Sequence, residues 1–153
     1  MGLINDHTYS KEGVHKHSYQ YKFIKTDNKS DLGKLKIFSL NVGGLKSKLV
    51  SDELETEILK YDIVCLSEVK MDLCDVGVLK TDFDQFTIFS NIKDDSNFKP
   101  RGGIVIFFKN FLSDSIKLLS SNKLAVCIEI SSQILETEKN VVLSAIYVPP
   151  AVV

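Results

Sequence analysis

Hydrophobic and polar positions along the chain fall into short apolar runs cut by polar turns, and the sharpest is Ile63, Val64, Cys65 and Leu66 set against Glu68 and Lys70. A continuous apolar run of this length, rich in β-branched side chains, predicts a strand buried on both faces, as in a parallel sheet. Upstream, Ile37, Phe38 and Leu40 predict another strand that ends at Asn41 and runs into Gly43 and Gly44, a pair suited to a tight turn. Between the two strands, Val50, Leu54, Ile58 and Tyr61 recur at helical spacing. Ser51 is placed as the N-cap of that helix, and Asp52, Glu53 and Glu55 suit the positive end of its dipole. A strand, helix, strand crossover brings both carboxyl ends to one edge of the sheet, so Asn41 and Glu68 are expected at one crevice.

Further strands are predicted at Phe86 to Ser90, Gly102 to Lys109, Leu124 to Ile130 and Asn140 to Tyr147. Short polar turns between the last three favour hairpin-like antiparallel pairing. The stretch from Lys70 to Asp84 is mixed. Its aspartates, Asp72, Asp75, Asp82 and Asp84, match no fixed-ligand loop and read as surface. Residues 1–33 are polar without a sustained period and read as a disordered leader, with Tyr19, Tyr21, Phe23 and Ile24 offering at most one extra strand. The folded domain is therefore expected over residues 34–153.

Composition narrows the class. With 153 residues, 44% of them apolar and 25% charged, the chain has the make-up of one globular domain, which excludes disorder throughout. A net charge of -1 supplies no global basic field, so any phosphate-binding face must be local. Three cysteines form neither a disulfide framework nor a zinc set; Cys65 and Cys127 are expected as small core residues in a reducing compartment, nuclear or cytoplasmic. No apolar stretch approaches the roughly 20 residues that span a bilayer, and the start lacks a signal-peptide core. Asp6 stands where myristoylation wants Ser or Thr.

A carboxylate and an amide oxygen at one crevice are hard ligands of the kind magnesium accepts. On position alone, however, Glu68 reads as a solvated loop residue and Tyr147 as packing.

The motifs LNVGGLKSK (Leu40 to Lys48), DIVCLSEVK (Asp62 to Lys70), RGGIVIFFK (Arg101 to Lys109) and SAIYVPP (Ser144 to Pro150) change that weighting. In order and spacing they resemble the endonuclease/exonuclease/phosphatase superfamily, and most closely the apurinic-type endonuclease domain of non-LTR, LINE-type retrotransposons. The resemblance covers Leu35 to about Pro150, the N-terminal half of that domain. It implies an α/β (α+β) fold, the N-terminal half of a two-sheet DNase I-like sandwich with a mixed sheet and one main crossover helix. It also implies catalytic residues: Asn41 near metal and phosphate, Glu68 on the magnesium ion, and Tyr147 contacting the scissile phosphate. The implied metal ligands are Glu68 and Asn41, with manganese an alternative to magnesium, and Lys70 matches a lysine common two places beyond the glutamate.

Two departures stand out. Gly43 falls where relatives often carry Asp or Asn. The later motifs of the family, Asp-x-Asn and a terminal Ser-Asp-His, are missing; His7, His15 and His17 all lie in the leader, and Asp95-Ser96-Asn97 precedes the RGGIVIFF strand and reads as coincidence. The expectation is thus a truncated magnesium-dependent endonuclease acting on nucleic acid, DNA ahead of RNA, weak or inactive in this form. The alternatives are a non-catalytic remnant, binding a protein or itself through an uncovered sheet face, and a phosphatase of the same superfamily. No membrane association is expected.

Overall fold

The computed structural model describes residues 34–92 and 102–148. In chain order the first elements are β1 (Ile37–Asn41), α1 (Leu45–Lys48), α2 (Asp52–Ile58), β2 (Ile63–Ser67), α3 (Leu73–Asp82), β3 (Phe86–Ser90) and β4 (Ile104–Lys109). After a 3-10 turn, Asn110–Ser115, come β5 (Ile116–Ser121), β6 (Ala125–Ile130), α4 (Ser132–Leu135) and β7 (Val141–Ile146). The first sheet is mixed, in the order β1-β2-β4-β3, and the second is antiparallel, β5-β6-β7. β1 and β2 are parallel, with Ile37 beside Ile63 and Asn41 beside Ser67; β4 runs antiparallel to both β2 and β3.

Alternation along the central strands sorts their side chains onto two cores. Val64, Leu66, Val105 and Phe107 meet Leu45, Ile58, Leu79 and Phe83 on the helical side. Ile63, Cys65, Ile104, Ile106 and Phe108 meet Leu112, Ile116, Val126, Ile128 and Ile130 between the sheets. This is a mixed α/β fold of two sheets with helices on one outer face, and α2 is the main crossover helix. Burial pushes the Cys65 thiol up to about 11, so it stays protonated in the core.

Several expectations need correction. Val50 is 85% exposed and packs nothing, because α2 starts only after Ser51, leaving Leu54, Ile58 and Tyr61 as the packing face. Ser51 occupies the cap position without a capping bond; its hydroxyl donates back to the Lys48 carbonyl at 3.2 Å. The stretch after Lys70 forms the ten-residue α3, and two of its aspartates are structural. Asp72 and Asp75 form a reciprocal capping box, with bonds of 2.8 and 3.1 Å between each carboxylate and the other's N–H. Asp75 is also buried and paired with Lys46 of α1. β4 does not pair with β6, because β4 is the central strand between β2 and β3, buried on both faces. The strand β5, not expected from the sequence, supplies β6's first partner. Cys127 lies on the outer face of β6, where the Ser144 hydroxyl donates to its sulfur at 3.2 Å; its inward neighbours Val126 and Ile128 take the core positions. Residues 19–24, 95–97 and Arg101 fall outside the described residues.

Candidate active site

β1 and β2 deliver Asn41 and Glu68 to the same edge because they run parallel and in register. Asn41 sits beside Ser67, one residue short of Glu68, on strands about 4.8 Å apart. Beyond β1 the chain turns through Gly43 and Gly44, with φ of 59° and 123°. Asn41 fixes that turn, its Oδ1 accepting the Gly43 N–H at 3.1 Å. One lone pair on Oδ1 and the Nδ2 donor are left for a ligand.

Glu68 and Lys70 both take a left-handed backbone, with φ of 54° and 51°. The buried Val69 between them is held from two sides. Its carbonyl accepts the Leu45 N–H at 2.9 Å, while Val69 and Lys70 donate to the carbonyls of Gly103 and Gly102 at 3.3 and 2.8 Å. That clamp turns the Glu68 side chain out of the strand's alternation. Among the described residues the Glu68 carboxylate makes no ion pair.

Tyr147 arrives from the second sheet. It follows β7, and its N–H donates to the Leu124 carbonyl at 2.8 Å. Its ring lies over Gly102, where an added Cβ would come within 2.9 Å of Cε1. Loss of solvent, and then the adjacent Glu68 carboxylate, hold the Tyr147 phenol above its ordinary value. At neutral pH it is therefore a hydrogen-bond donor facing a carboxylate. The Gly102-Gly103 pair is a part of the site to which sequence reading gave no role; its signal is two glycines opening a strand, both with positive φ here.

An open cleft of about 570 Å³ borders the site at Asn41 and Gly43. Glu68 and Tyr147 do not line it, and Glu53 and Glu57 outnumber Lys48 on its walls, which makes it a poor seat for phosphate.

The donor set fits a magnesium ion. Magnesium takes one or two carboxylates and keeps most of its water, and Glu68 offers one half-buried carboxylate, with the Asn41 amide oxygen one strand away. Among the described residues no group of three His, Cys, Asp or Glu could form an all-protein cage.

No protein-family model matches the sequence, and neither does any curated protein. Solved structures do. The AP endonuclease LMAP from Leishmania major matches with a TM-score of 0.51 and 15% identity over 74% of this chain and 39% of that one. The 3' phosphatase NExo from Neisseria, bound to a product DNA hairpin, gives 0.48 and 16% over 74% of this chain and 41% of that one. A humanized D. rerio TDP2 gives 0.38 and 20%, covering 63% and 43%. The match to the AP endonuclease shows the fold alone, the DNase I-like one, and the chain spans about two fifths of that protein's length.

Proposed function

We propose that this chain carries the first half of the active site of a magnesium-dependent phosphodiesterase that cuts nucleic acid, DNA in preference to RNA, of the type found in non-LTR retrotransposon endonucleases. The observation that carries the reading is the meeting of Glu68 with Tyr147 at the edge where Asn41 ends β1. Glu68 would hold the metal, with Asn41 as its second oxygen ligand; the bound ion supplies Lewis-acid polarisation of a phosphate oxygen. The chain's own groups do the rest. Tyr147 donates its hydroxyl proton in a hydrogen bond to a non-bridging phosphate oxygen, and the Asn41 Nδ2 donates to another, so both stabilise charge developing on the phosphate. Lys70, exposed two residues beyond Glu68, adds positive charge near the incoming strand.

Missing from this set is a group to orient and deprotonate water. Residues 34–153 contain no histidine, so low turnover is expected of the chain by itself. A phosphomonoester would be held by the same groups, and a 3'-phosphorylated oligonucleotide separates that reading from strand cleavage. A second reading, a binding module, draws support from β1 and β7, whose edges are open among the described residues.

The test is magnesium-dependent nicking of supercoiled plasmid by the purified chain, beside Glu68→Ala and a light-scattering measurement of its assembly state. Nicking that disappears with Glu68→Ala supports a phosphodiesterase. A monodisperse, folded sample that neither nicks nor binds magnesium by calorimetry overturns it and leaves the binding module.

A further inference from the structure

We infer that Asn91 is a positioning residue for Tyr147, tying the turn that holds the tyrosine backbone to the start of β4, just after the Gly102 that lies under its ring. Asn91 follows β3 directly. Its Oδ1 accepts the Ile104 N–H at 2.7 Å, and its backbone N–H donates to the Ile104 carbonyl at 3.2 Å. Ile104 opens β4 immediately after Gly102 and Gly103, so this bond fixes where that pair sits.

The other end of the same side chain crosses to the second sheet. Nδ2 donates to the carbonyls of Asn122 and Lys123 at 2.8 and 3.3 Å. Asn122 in turn accepts the N–H groups of Leu124 and Ala125 on Oδ1 at 2.9 and 3.0 Å. The Leu124 carbonyl then receives the Tyr147 N–H. A continuous path of hydrogen bonds thus runs from the floor beneath the Tyr147 ring, through Asn91, to the Tyr147 backbone. Few side chains do this: an amide of this length both accepts one N–H and donates to two carbonyls, whereas Asp lacks the donors and Leu lacks both functions. The oxygen and nitrogen of Asn91 are assigned by those partners, an N–H on one side and two carbonyls on the other.

The consequence for catalysis rests on the phosphodiesterase reading, in which Tyr147 contacts phosphate; the positioning itself does not. The experiment therefore reads the Tyr147 ring directly, by the nuclear Overhauser contact between its ring protons and the Gly102 α-protons, with the ring signal assigned by Tyr147→Phe. In the unaltered chain the ring lies over Gly102, so the contact is strong. In Asn91→Leu, and in Asn122→Ala, which loosens the same turn from its other side, the contact is expected to weaken. Thr87→Val removes hydrogen bonds to Asn110 and Ser113 from the same strand β3, away from Tyr147, and should leave the contact unchanged. An unchanged contact in folded Asn91→Leu, or in Asn122→Ala if the former does not fold, overturns the inference. Where plasmid nicking is measurable, Asn91→Leu is expected to lower kcat by about 10- to 100-fold at nearly constant KM. Absence of nicking in the unaltered chain would remove the functional reading and leave the ring contact standing.

Discussion

Glu68 and Lys70 adopt a conformation that L-residues with a Cβ enter at a cost of about 1–2 kcal/mol each. Such strain persists where the surroundings over-determine the backbone, and the bonds to Gly102, Gly103 and Leu45 do so here. A residue-scale consequence follows from the conflict between backbone and carboxylate. Glu68→Gly removes the carboxylate and relaxes the left-handed φ, whereas Glu68→Ala removes the carboxylate and keeps the strain. Both variants should lose magnesium binding by calorimetry. Denaturant melts should find the glycine variant about 1 kcal/mol more stable than the alanine variant, after allowing for glycine's extra unfolded-state entropy. Equal stability would mean that the turn imposes no strain at position 68. The sequence made Glu68 visible as a carboxylate past a buried strand, and Asn41 as its neighbour on a parallel partner. It gave no sign that Glu68 would be left-handed, because that depends on hydrogen bonds accepted by the Gly102 and Gly103 carbonyls, more than thirty residues away.

At the scale of elements, α3 shows why one helix escaped the pattern. Its buried side chains are only Asp75, Val76 and Leu79, and Gly77 interrupts the run, so no apolar stripe announces it. What holds it is its first turn. The reciprocal bonds of Asp72 and Asp75 satisfy two N–H groups, and Asp75 also carries the pair to Lys46 that ties α3 to α1, the turn just beyond Asn41. Asp72→Ala is expected to cost about 1 kcal/mol in a denaturant melt. Asp75 adds a pH dependence. Burial pushes its carboxyl up, but the Lys46 ammonium and the Asp72 N–H outweigh that and leave it below the ordinary carboxylate value. A lowered folded value means that the contribution is present above the unfolded value, about pH 4, and is lost as pH falls through the folded one. Asp75→Asn should therefore lie below the parent at neutral pH and converge on it in acid; a constant difference across pH 2–7 would show that the carboxylate's charge contributes nothing. The long apolar strands, by contrast, were legible because burial on both faces leaves the same mark wherever they pair. Their partners were not: β4 reads like a hairpin strand until its burial on both faces sets it between β2 and β3.

For the whole molecule the informative feature is which edges remain open. The sequence predicted an uncovered sheet face; the first sheet is covered by helices on one side and by the second sheet on the other, whereas the outward positions Val142 and Ile146 of the second sheet stand exposed among the described residues. β7 packs over β2 and β4, and β6 over β4, so among the described residues β1 and β7 form open edges on the same side of the sandwich. Apolar side chains show there: Ile37 at 45% and Leu40 at 40% exposure on β1, Val142 at 56% and Ile146 at 64% on β7. Soluble proteins blunt such edges with charge, proline or a bulge, and the six residues Val141–Ile146 contain none of the first two. Neither does β7 break its register with β6. Concentration-dependent association through β7 is therefore expected in sedimentation velocity at micromolar protein. Val142→Lys places a charge on the outward face of that edge without touching the inter-sheet core, so it should shift the chain toward monomer and leave the melting curve within about 0.5 kcal/mol. If Val142→Lys associates as strongly as the parent, the contact lies elsewhere, and an equivalent charge at Leu40 would examine the β1 edge. If the parent is monomeric throughout, the open edges are tolerated as they stand, and the binding-module reading loses the observation that favours it.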